Sequence, residues 1–87
     1  MVKQDVIIQN RAGLHARPAS MIVQTAAQFS STIYIHKEDV QVNAKSIMNL
    51  LTLGGAYNTE LLISAEGDDE QNALSAIVAL FESKFEE

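Results

Sequence analysis

The chain has 87 residues, of which 47% are hydrophobic, and a net charge of −5. A chain of this length predicts one small domain, residues 1–87. It contains no cysteine, which excludes disulfides and cysteine-metal scaffolds and fits a reducing, cytoplasmic compartment. The acidic balance argues against nucleic-acid binding, and no apolar run approaches the roughly 20 residues of a membrane span, so we also expect no membrane insertion.

The first predicted elements are a strand and a helix. Residues 2–9 show an imperfect alternation of apolar and polar side chains, which predicts a strand. Residues 10–13 form a turn, and Pro18 is well placed in the first turn of a helix over residues 16–28. The apolar stripe expected along this helix comprises Ala19, Ile22, Val23, Ala26 and Phe29.

A hairpin follows. Residues 32–37 alternate, with Ile33 and Ile35 facing one way, and residues 40–42 continue the pattern after a short polar turn. His36 has the opposite parity, which predicts a partly exposed strand position without a chemical role. The two histidines of the chain are far apart and lack a metal-binding spacing, so no metal or other cofactor is expected.

The segment after the hairpin predicts a short helix. Ser46 precedes the apolar residues 47–53, and Gly54 and Gly55 follow them, which is typical of a serine N-cap and a glycine stop. Met48 is expected to turn at least partly outward, either filling a gap in the core or forming a deformable contact surface. The stripe expected to face inward comprises Ile47, Leu50 and Leu51.

The last two elements complete a β-α-β-β-α-β-α order. Residues 59–66 predict a fourth strand, and Asp68 or Asp69 is the expected cap of a final helix. The buried stripe of that helix continues to the C-terminus and comprises Ala73, Leu74, Ile77, Val78, Phe81 and Phe85. Alternating strands imply one covered face, so the prediction is an α+β, two-layer open-faced sandwich with three helices on one face of a four-stranded antiparallel sheet.

The charges are unevenly distributed. Residues 68–87 carry the whole net charge of −5, and residues 1–67 are formally neutral. Within the neutral part, Arg11 and Arg17 bracket His15, so the surroundings of this histidine are cationic in an acidic protein. The acidic last helix is interpreted as a solvated face.

The run Gly13 to Pro18 carries the candidate site. With the helix starting near His15, the amide groups of Ala16 and Arg17 face the imidazole, with the positive end of the helix dipole behind them. The helix dipole and the Arg17 side chain disfavour a protonated ring and favour a neutral nucleophile, and the same donors would stabilise a phosphoryl group on it. The competing interpretation is an ordinary surface pair or cap.

Three stretches of the sequence are similar to one protein family. The runs GLHARPA, NAKSIM followed by LLTLG, and TELLISAEGDDEQNAL resemble HPr, the histidine-containing phosphocarrier of the bacterial phosphotransferase system, in order and spacing. The resemblance implies the sheet order 1-4-2-3 and His15 as phosphoryl acceptor beside Arg17. It also implies enzyme I as donor, enzyme IIA domains as receivers, and a protein that is a substrate of enzymes and not an enzyme.

The run Lys45 to Met48 resembles a motif of this family that is regulated by serine phosphorylation. In Gram-positive HPr proteins the serine of this motif is the target of HPr kinase/phosphorylase, so the resemblance implies regulatory phosphorylation of Ser46, while a plain cap remains the local alternative. It also implies contact with a transcription regulator. The partner-binding residues that it implies are Ile47, Met48 and Leu51.

Some features leave alternatives open. Ala12 stands where many relatives carry Ser or Asn, which removes about 1 kcal/mol of hydrogen bonding to the phosphoryl group. Asn49 replaces a glycine of some Gram-positive relatives. The run at residues 79–83 resembles the nitrogen-related branch of the phosphotransferase system. A third alternative is a corepressor-type homologue that acts only by protein binding, although that homologue lacks the active histidine.

Overall fold

A four-stranded antiparallel sheet forms one layer of the structure, a computed structural model that describes residues 1–86. Its strands lie in the order β1-β4-β2-β3, which confirms the order 1-4-2-3. The strand bounds are β1 (Val2–Ile7), β2 (Thr32–Lys37), β3 (Val40–Asn43) and β4 (Glu60–Glu66). The element order β-α-β-β-α-β-α is also as predicted.

The central strand β4 fixes the register of the sheet. Its residue Leu61 pairs with Val6 of β1, and Ile63 pairs with Ile35 of β2. All four side chains are buried, because alternate residues of each strand face the helices. On the other face, His36 is half-buried and its Nε2 lies 3.0 Å from the hydroxyl of Ser64, which confirms a partly exposed strand position.

Three helices form the second layer. They are α1 (Ala16–Ala26), α2 (Ile47–Leu53) and α3 (Glu70–Glu82). α3 packs against β1 and β4, and α1 packs against α2 and α3. The buried residues of α1 and α3 are Pro18, Ala19, Ile22, Ala26, Ala73, Leu74, Ile77, Val78 and Phe81. None of the helices in residues 1–86 is long and apolar enough to span a membrane.

Several predicted boundaries are corrected by the structure. β1 ends at Ile7, although Ile8 still accepts a hydrogen bond from the amide of Asn58 at 2.7 Å. α1 ends at Ala26 and not at Gln28, because the amides of Gln28 and Phe29 donate to carbonyls three residues back and tighten the last turn.

The end of α3 differs more from the prediction. The helix stops at Glu82, where the hydroxyl of Ser83 donates to the carbonyl of Leu80 at 3.0 Å. Residues Lys84–Glu86 form a short 3₁₀ turn, and all three have positive φ angles of 53° to 61°. A left-handed conformation cannot continue a right-handed helix. Phe85 is nevertheless fully buried, as predicted, with its ring 4.9 Å from that of Phe81.

The inward stripe predicted for α2 is partly wrong. Leu50 and Leu53 are buried, whereas Ile47 and Leu51 are 38% and 41% exposed. Leu50 and Leu53 lie three residues apart and define the inward direction, and Leu51 is rotated from Leu50 by roughly 100° away from Leu53. The segment is apolar on most sides, so its sequence alone does not determine which leucines face inward.

The start of α3 is tied to the loop after α1. Asp69 is the N-cap residue, but its carboxylate makes no capping bond to its own helix. It accepts hydrogen bonds from the amides of Ser30 and Ser31, at 2.9 and 3.0 Å, and from the hydroxyl of Ser31. These bonds, the Ser31 hydroxyl first, hold the pKa of Asp69 below its ordinary value.

We therefore expect Asp69→Asn to destabilise the protein at neutral pH, because an amide nitrogen cannot accept the bonds that the carboxylate accepts. A lowered pKa gives stability that is present above the unfolded-state pKa of about 3.9 and is lost as pH falls. Urea unfolding from pH 7 down to pH 3 should show a lower midpoint for the variant at pH 7 and a shrinking difference below pH 4. Asp68→Asn, at the exposed neighbouring position, is the control. An equal loss in both variants, or a difference independent of pH, would contradict the assignment.

Candidate functional site

His15 occupies the N-cap position of α1. Its backbone is extended, with φ −105° and ψ −167°, and its carbonyl accepts the hydrogen bond that the amide of Ala19 donates at 3.0 Å. The side chain is half-buried and makes no capping hydrogen bond to the helix. The prediction that the helix starts at this residue is confirmed.

The next three residues give the helix start its electrostatic character. The first four amides of an α-helix have no intrahelical acceptor. His15 uses its own amide to donate to the carbonyl of Gly13 at 3.1 Å, and Pro18 has no N–H group. The amides of Ala16 and Arg17 remain as the donors of this turn, and both residues are exposed. Together with the positive end of the helix dipole, these two amides form an anion-binding site at the surface.

A short loop positions this helix start. The buried side chain of Asn10 donates from Nδ2 to the carbonyl of Gly13 at 2.6 Å, and the amide of Gly13 donates back to the carbonyl of Asn10 at 3.1 Å. Leu14 then donates to the carbonyl of Gly55 at 2.8 Å. Asn10 and Gly55 were not singled out for this role by the sequence, because their bonds depend on the loop geometry and on a contact across 41 residues of chain.

Two glycines permit the close approach of these loops. Gly13 has φ 76°, and a Cβ atom there would collide with the carbonyl oxygen of Gly55. Gly55 has φ 152°, and a Cβ atom there would lie 2.6 Å from Cδ1 of Ile8. Glycine is the residue that accepts such angles and leaves this space. Both the backbone angle of Gly13 and its close contact with Gly55 confirm the prediction that this position requires glycine.

Ser46 caps α2. Its hydroxyl oxygen accepts a hydrogen bond from the amide of Asn49 at 3.3 Å, which confirms the predicted N-cap, and Gly54 forms the C-terminal stop with φ 62°. The side chain of Lys45 binds the loop after α1, because its Nζ donates a hydrogen bond to the carbonyl of Phe29 at 2.7 Å.

An apolar surface lies on α2. Ile47, Met48 and Leu51 are 38%, 69% and 41% exposed, and we call these three residues the α2 patch. The outward position of Met48 is confirmed, and Ile47 and Leu51 lie outside the core with it. Since α2 packs against α1 and the loop after α2 binds Leu14, the patch and the His15 helix belong to one rigid assembly.

The cationic side chains around the site lie on different elements. Arg17 is exposed in the first turn of α1, and the guanidinium of Arg11 lies over the ring of Tyr57, 5.4 Å from its centroid. Within the described residues, no group of three or more histidine, cysteine or acidic side chains could hold a metal ion. The arrangement can thus attract an anion and present an imidazole to it.

Comparison with known proteins identifies this arrangement. The family model described as "PTS HPr component phosphorylation site" matches residues 2–83. Phosphocarrier protein HPr of Treponema pallidum is 49% identical over 87 residues, which cover 100% of this chain and 99% of that protein. HPr-like protein Crh of Bacillus subtilis is 44% identical over 79 residues, which cover 91% and 93% of the two chains.

Solved structures agree with this result. The crystal structure of HPr-C-His from Thermoanaerobacter tengcongensis superposes with a TM-score of 0.96 at 50% sequence identity, and the match covers 100% of this chain and 98% of that chain. The fold and the histidine at the helix start define a small carrier protein with an open-faced sandwich. The chain belongs to the HPr family of phosphocarrier proteins of the phosphotransferase system.

The contact between Gly13 and Gly55 leads to a prediction about stability. Gly13→Ala should lower the free energy of unfolding by at least about 2 kcal/mol, since it combines a left-handed backbone angle with a backbone collision. Urea unfolding measures the loss. The control is Ala12→Gly at the exposed neighbouring position, which should cost no more than about 1 kcal/mol. Equal stability of Gly13→Ala and the unmodified protein would show that the close approach of the two loops is not rigid.

Proposed function

We propose that this protein accepts a phosphoryl group from the phosphohistidine of enzyme I on His15 and passes it to a histidine of an enzyme IIA domain. The single observation that carries the proposal is the position of His15 as the N-cap residue of α1, directly before the exposed residues Ala16 and Arg17. The family model, which describes a phosphorylation site over residues 2–83, supports the same role.

The transfer balances without a cofactor. A lone pair on a neutral ring nitrogen of His15, which we assign as Nδ1, attacks phosphorus, while the P–N bond to the donor imidazole breaks and its electron pair returns to the donor. The amides of Ala16 and Arg17 donate to the phosphoryl oxygens that arrive, and the Arg17 guanidinium offsets their charge. The protein supplies the phosphoryl acceptor and an anion-binding site for the phosphoryl oxygens, and the reaction runs in either direction.

The exposed position of the site suits a carrier. A closed pocket that bound the phosphoryl group tightly would slow its departure, whereas a site at a helix end holds it with few donors. The partner enzymes would complete the surroundings of the transition state when they dock. We assign the α2 patch, Ile47, Met48 and Leu51, as the apolar surface on which they dock, because exposed apolar groups next to a reactive residue are suited to protein contacts.

Ser46 would serve as a regulatory site for HPr kinase/phosphorylase. Its N-cap hydroxyl lies at the positive end of the α2 dipole, so a phosphate there would be stabilised by the helix. The same phosphate would stand directly before Ile47 and Met48 in the chain, adding charge to the docking surface. A transcription regulator is the further partner that we assign to the phosphoserine form. We place the protein in the cytoplasm, where these partners act.

A second candidate function is regulation by protein binding alone. It is favoured by the 44% identity to HPr-like protein Crh of Bacillus subtilis. The presence of His15 opposes it, because an active histidine has no use in a purely regulatory homologue. Within the carrier function, the C-terminal run at residues 79–83 favours the nitrogen-related branch, and the motif Lys45 to Met48 favours the sugar branch.

The first prediction concerns the phosphoryl acceptor. Incubation with phosphoenolpyruvate and the enzyme I of the same organism should add one acid-labile phosphate, detected by intact-protein mass spectrometry and 31P NMR. His15→Ala should abolish this addition, and His36→Ala should retain it, since His36 is a strand residue bonded to Ser64. Labelling of the His15→Ala protein, or its absence from the unmodified protein, would contradict the proposal.

The second prediction concerns Ser46. Treatment with HPr kinase and ATP should add an acid-stable phosphate, and the modified protein should be phosphorylated on His15 at least about tenfold more slowly at low concentration, because charge has entered the docking surface. Ser46→Ala should take no acid-stable phosphate and should keep the unmodified rate; a far-UV spectrum checks its fold, since the cap contributes about 1 kcal/mol. Phosphate on another serine, or an unchanged rate of His15 phosphorylation in the modified protein, would contradict the regulatory role and show that Ser46 acts only as a helix cap.

A further inference from the structure

The sheet ends at β1 on one side, and this edge is open. β1 pairs only with β4, so one side of its backbone has no strand beside it within residues 1–86. The amide of Ile8 donates to the carbonyl of Thr59 at 2.9 Å, and the register of β1 against β4 continues from this pair. Because the amides and carbonyls of a strand alternate in direction, those of Lys3, Asp5 and Ile7 face away from β4. These are the groups that another strand could bind.

The side chains along this edge carry opposite charges. Lys3 and Asp5 are both exposed, on the face of the sheet that the helices do not cover. Neither has an ion-pair partner within 4.0 Å in the part of the chain that the structure describes. Edge charges of a single sign keep two copies of a strand apart, whereas opposite charges at alternate positions of one strand pair across a two-fold axis. The edge is therefore complementary to a second copy of itself.

One antiparallel register uses both charges. Since Lys3 and Asp5 face outward, the hydrogen-bonded pairs across the axis join odd-numbered residues. A register centred on Lys3, or one centred on Asp5, places like charges opposite each other. A register centred on Gln4 places Lys3 of each copy opposite Asp5 of the other. This register makes two ion pairs and hydrogen-bonds both residues to the second strand.

The same register matches the apolar residues at the two ends of the strand. Met1 and Ile7 are 65% and 43% exposed, although both are hydrophobic. In the register centred on Gln4, Met1 of each copy lies opposite Ile7 of the other, on the same face as the ion pairs. Met1 is held in position, because its amino group lies 3.3 Å from the carboxylate of Glu70. The apolar residues thus agree with the register that the charges select.

The helix layer leaves room for the second strand. α3 packs against both β1 and β4, so it lies inside the edge. Gln4 has the parity of the helix side and is nevertheless exposed, and an open cleft of about 230 Å³ lies between β1 and the end of α3. In the register centred on Gln4, Val2 of the second copy lies opposite Val6, which lines this cleft. The pairing would therefore also cover apolar surface on the helix side.

From these observations we infer that two copies of this chain associate through antiparallel pairing of their β1 edges, with a two-fold axis at Gln4. The pairing joins the two four-stranded sheets into one continuous sheet, and β1 stays bound to β4 of its own chain. The contact is short and joins two proteins of net charge −5, so the dimer is weak and transient. The interface contains neither His15 nor the α2 patch, so it can be tested whether or not the proposed phosphoryl transfer occurs.

The test is sedimentation velocity of the full-length, unphosphorylated protein from about 20 μM to about 2 mM, at an ionic strength of about 0.15 M. We expect a reversible dimer with a Kd at or below about 1 mM. 1H–15N NMR over the same concentrations should show shifts at the amides of Lys3, Asp5 and Ile7, because these amides enter the new hydrogen bonds.

Charge reversal tests the register. Asp5→Lys replaces both ion pairs by like-charge pairs and should weaken the dimer at least about tenfold. Lys3→Asp combined with Asp5→Lys restores the pairs in reversed order and keeps the net charge, so the Kd should return to within about threefold of that of the unmodified protein. Asp39→Lys, in the exposed turn before β3, has the same net-charge change as Asp5→Lys and should not weaken the dimer. Urea unfolding of each variant checks its fold.

Three outcomes would overturn the inference. The first is a monomer at every concentration up to about 2 mM, which is beyond the range expected for this contact. The second is a dimer that the double variant does not restore, or whose shifts lie outside β1, since either result would place the contact on another surface. The third is a dimer that persists after dilution to about 20 μM, because a lasting association requires strands exchanged between the chains and not pairing of their edges.

Discussion

The hydrogen bond from the amide of Leu14 to the carbonyl of Gly55 is the constraint on which the candidate site depends. It joins the loop before α1 to the loop after α2 at 2.8 Å, and both Gly13 and Gly55 are needed for the chains to approach so closely. This one contact fixes where α1 begins, and with it the position of His15 and of the amides that follow. It also connects the His15 loop to the element that carries the α2 patch.

The remainder of the fold holds these two loops against a rigid base. The sheet places a buried row of aliphatic side chains beneath α1 and α3, and the Asp69 carboxylate binds the loop that follows α1. α1 is therefore held at both ends, by Gly55 near its start and through Asp69 beyond its end. A carrier that meets different partners benefits from such a rigid helix, because each partner then encounters the same arrangement of imidazole, amides and guanidinium.

Local signals in the sequence predicted much of this structure. The bounds of β2 followed from strict alternation, and those of α2 followed from Ser46 and Gly54, because a cap and a stop act on neighbouring residues. The start of α1 at His15 followed from Pro18 for the same reason. The runs that resemble the HPr family supplied the sheet order, which alternation alone does not specify.

What the sequence did not predict depends on contacts between distant residues. The roles of Asn10, Gly55 and Asp69 appear only when separate loops meet, and the outward position of Leu51 depends on where α2 rests on the core. The left-handed turn after Glu82 was missed because the apolar spacing of Phe81 and Phe85 also fits an uninterrupted helix. The local pattern was compatible with both conformations, and packing decided between them.

The central claim is that the start of α1 binds the phosphoryl group through the backbone amides of Ala16 and Arg17. The most direct measurement is 1H–15N NMR of the protein before and after phosphorylation of His15 by enzyme I. Because hydrogen bonds to an anion move amide protons downfield, the account predicts large downfield shifts at Ala16 and Arg17, the donors of this turn. Formation of phosphohistidine with both amide resonances unchanged would contradict it.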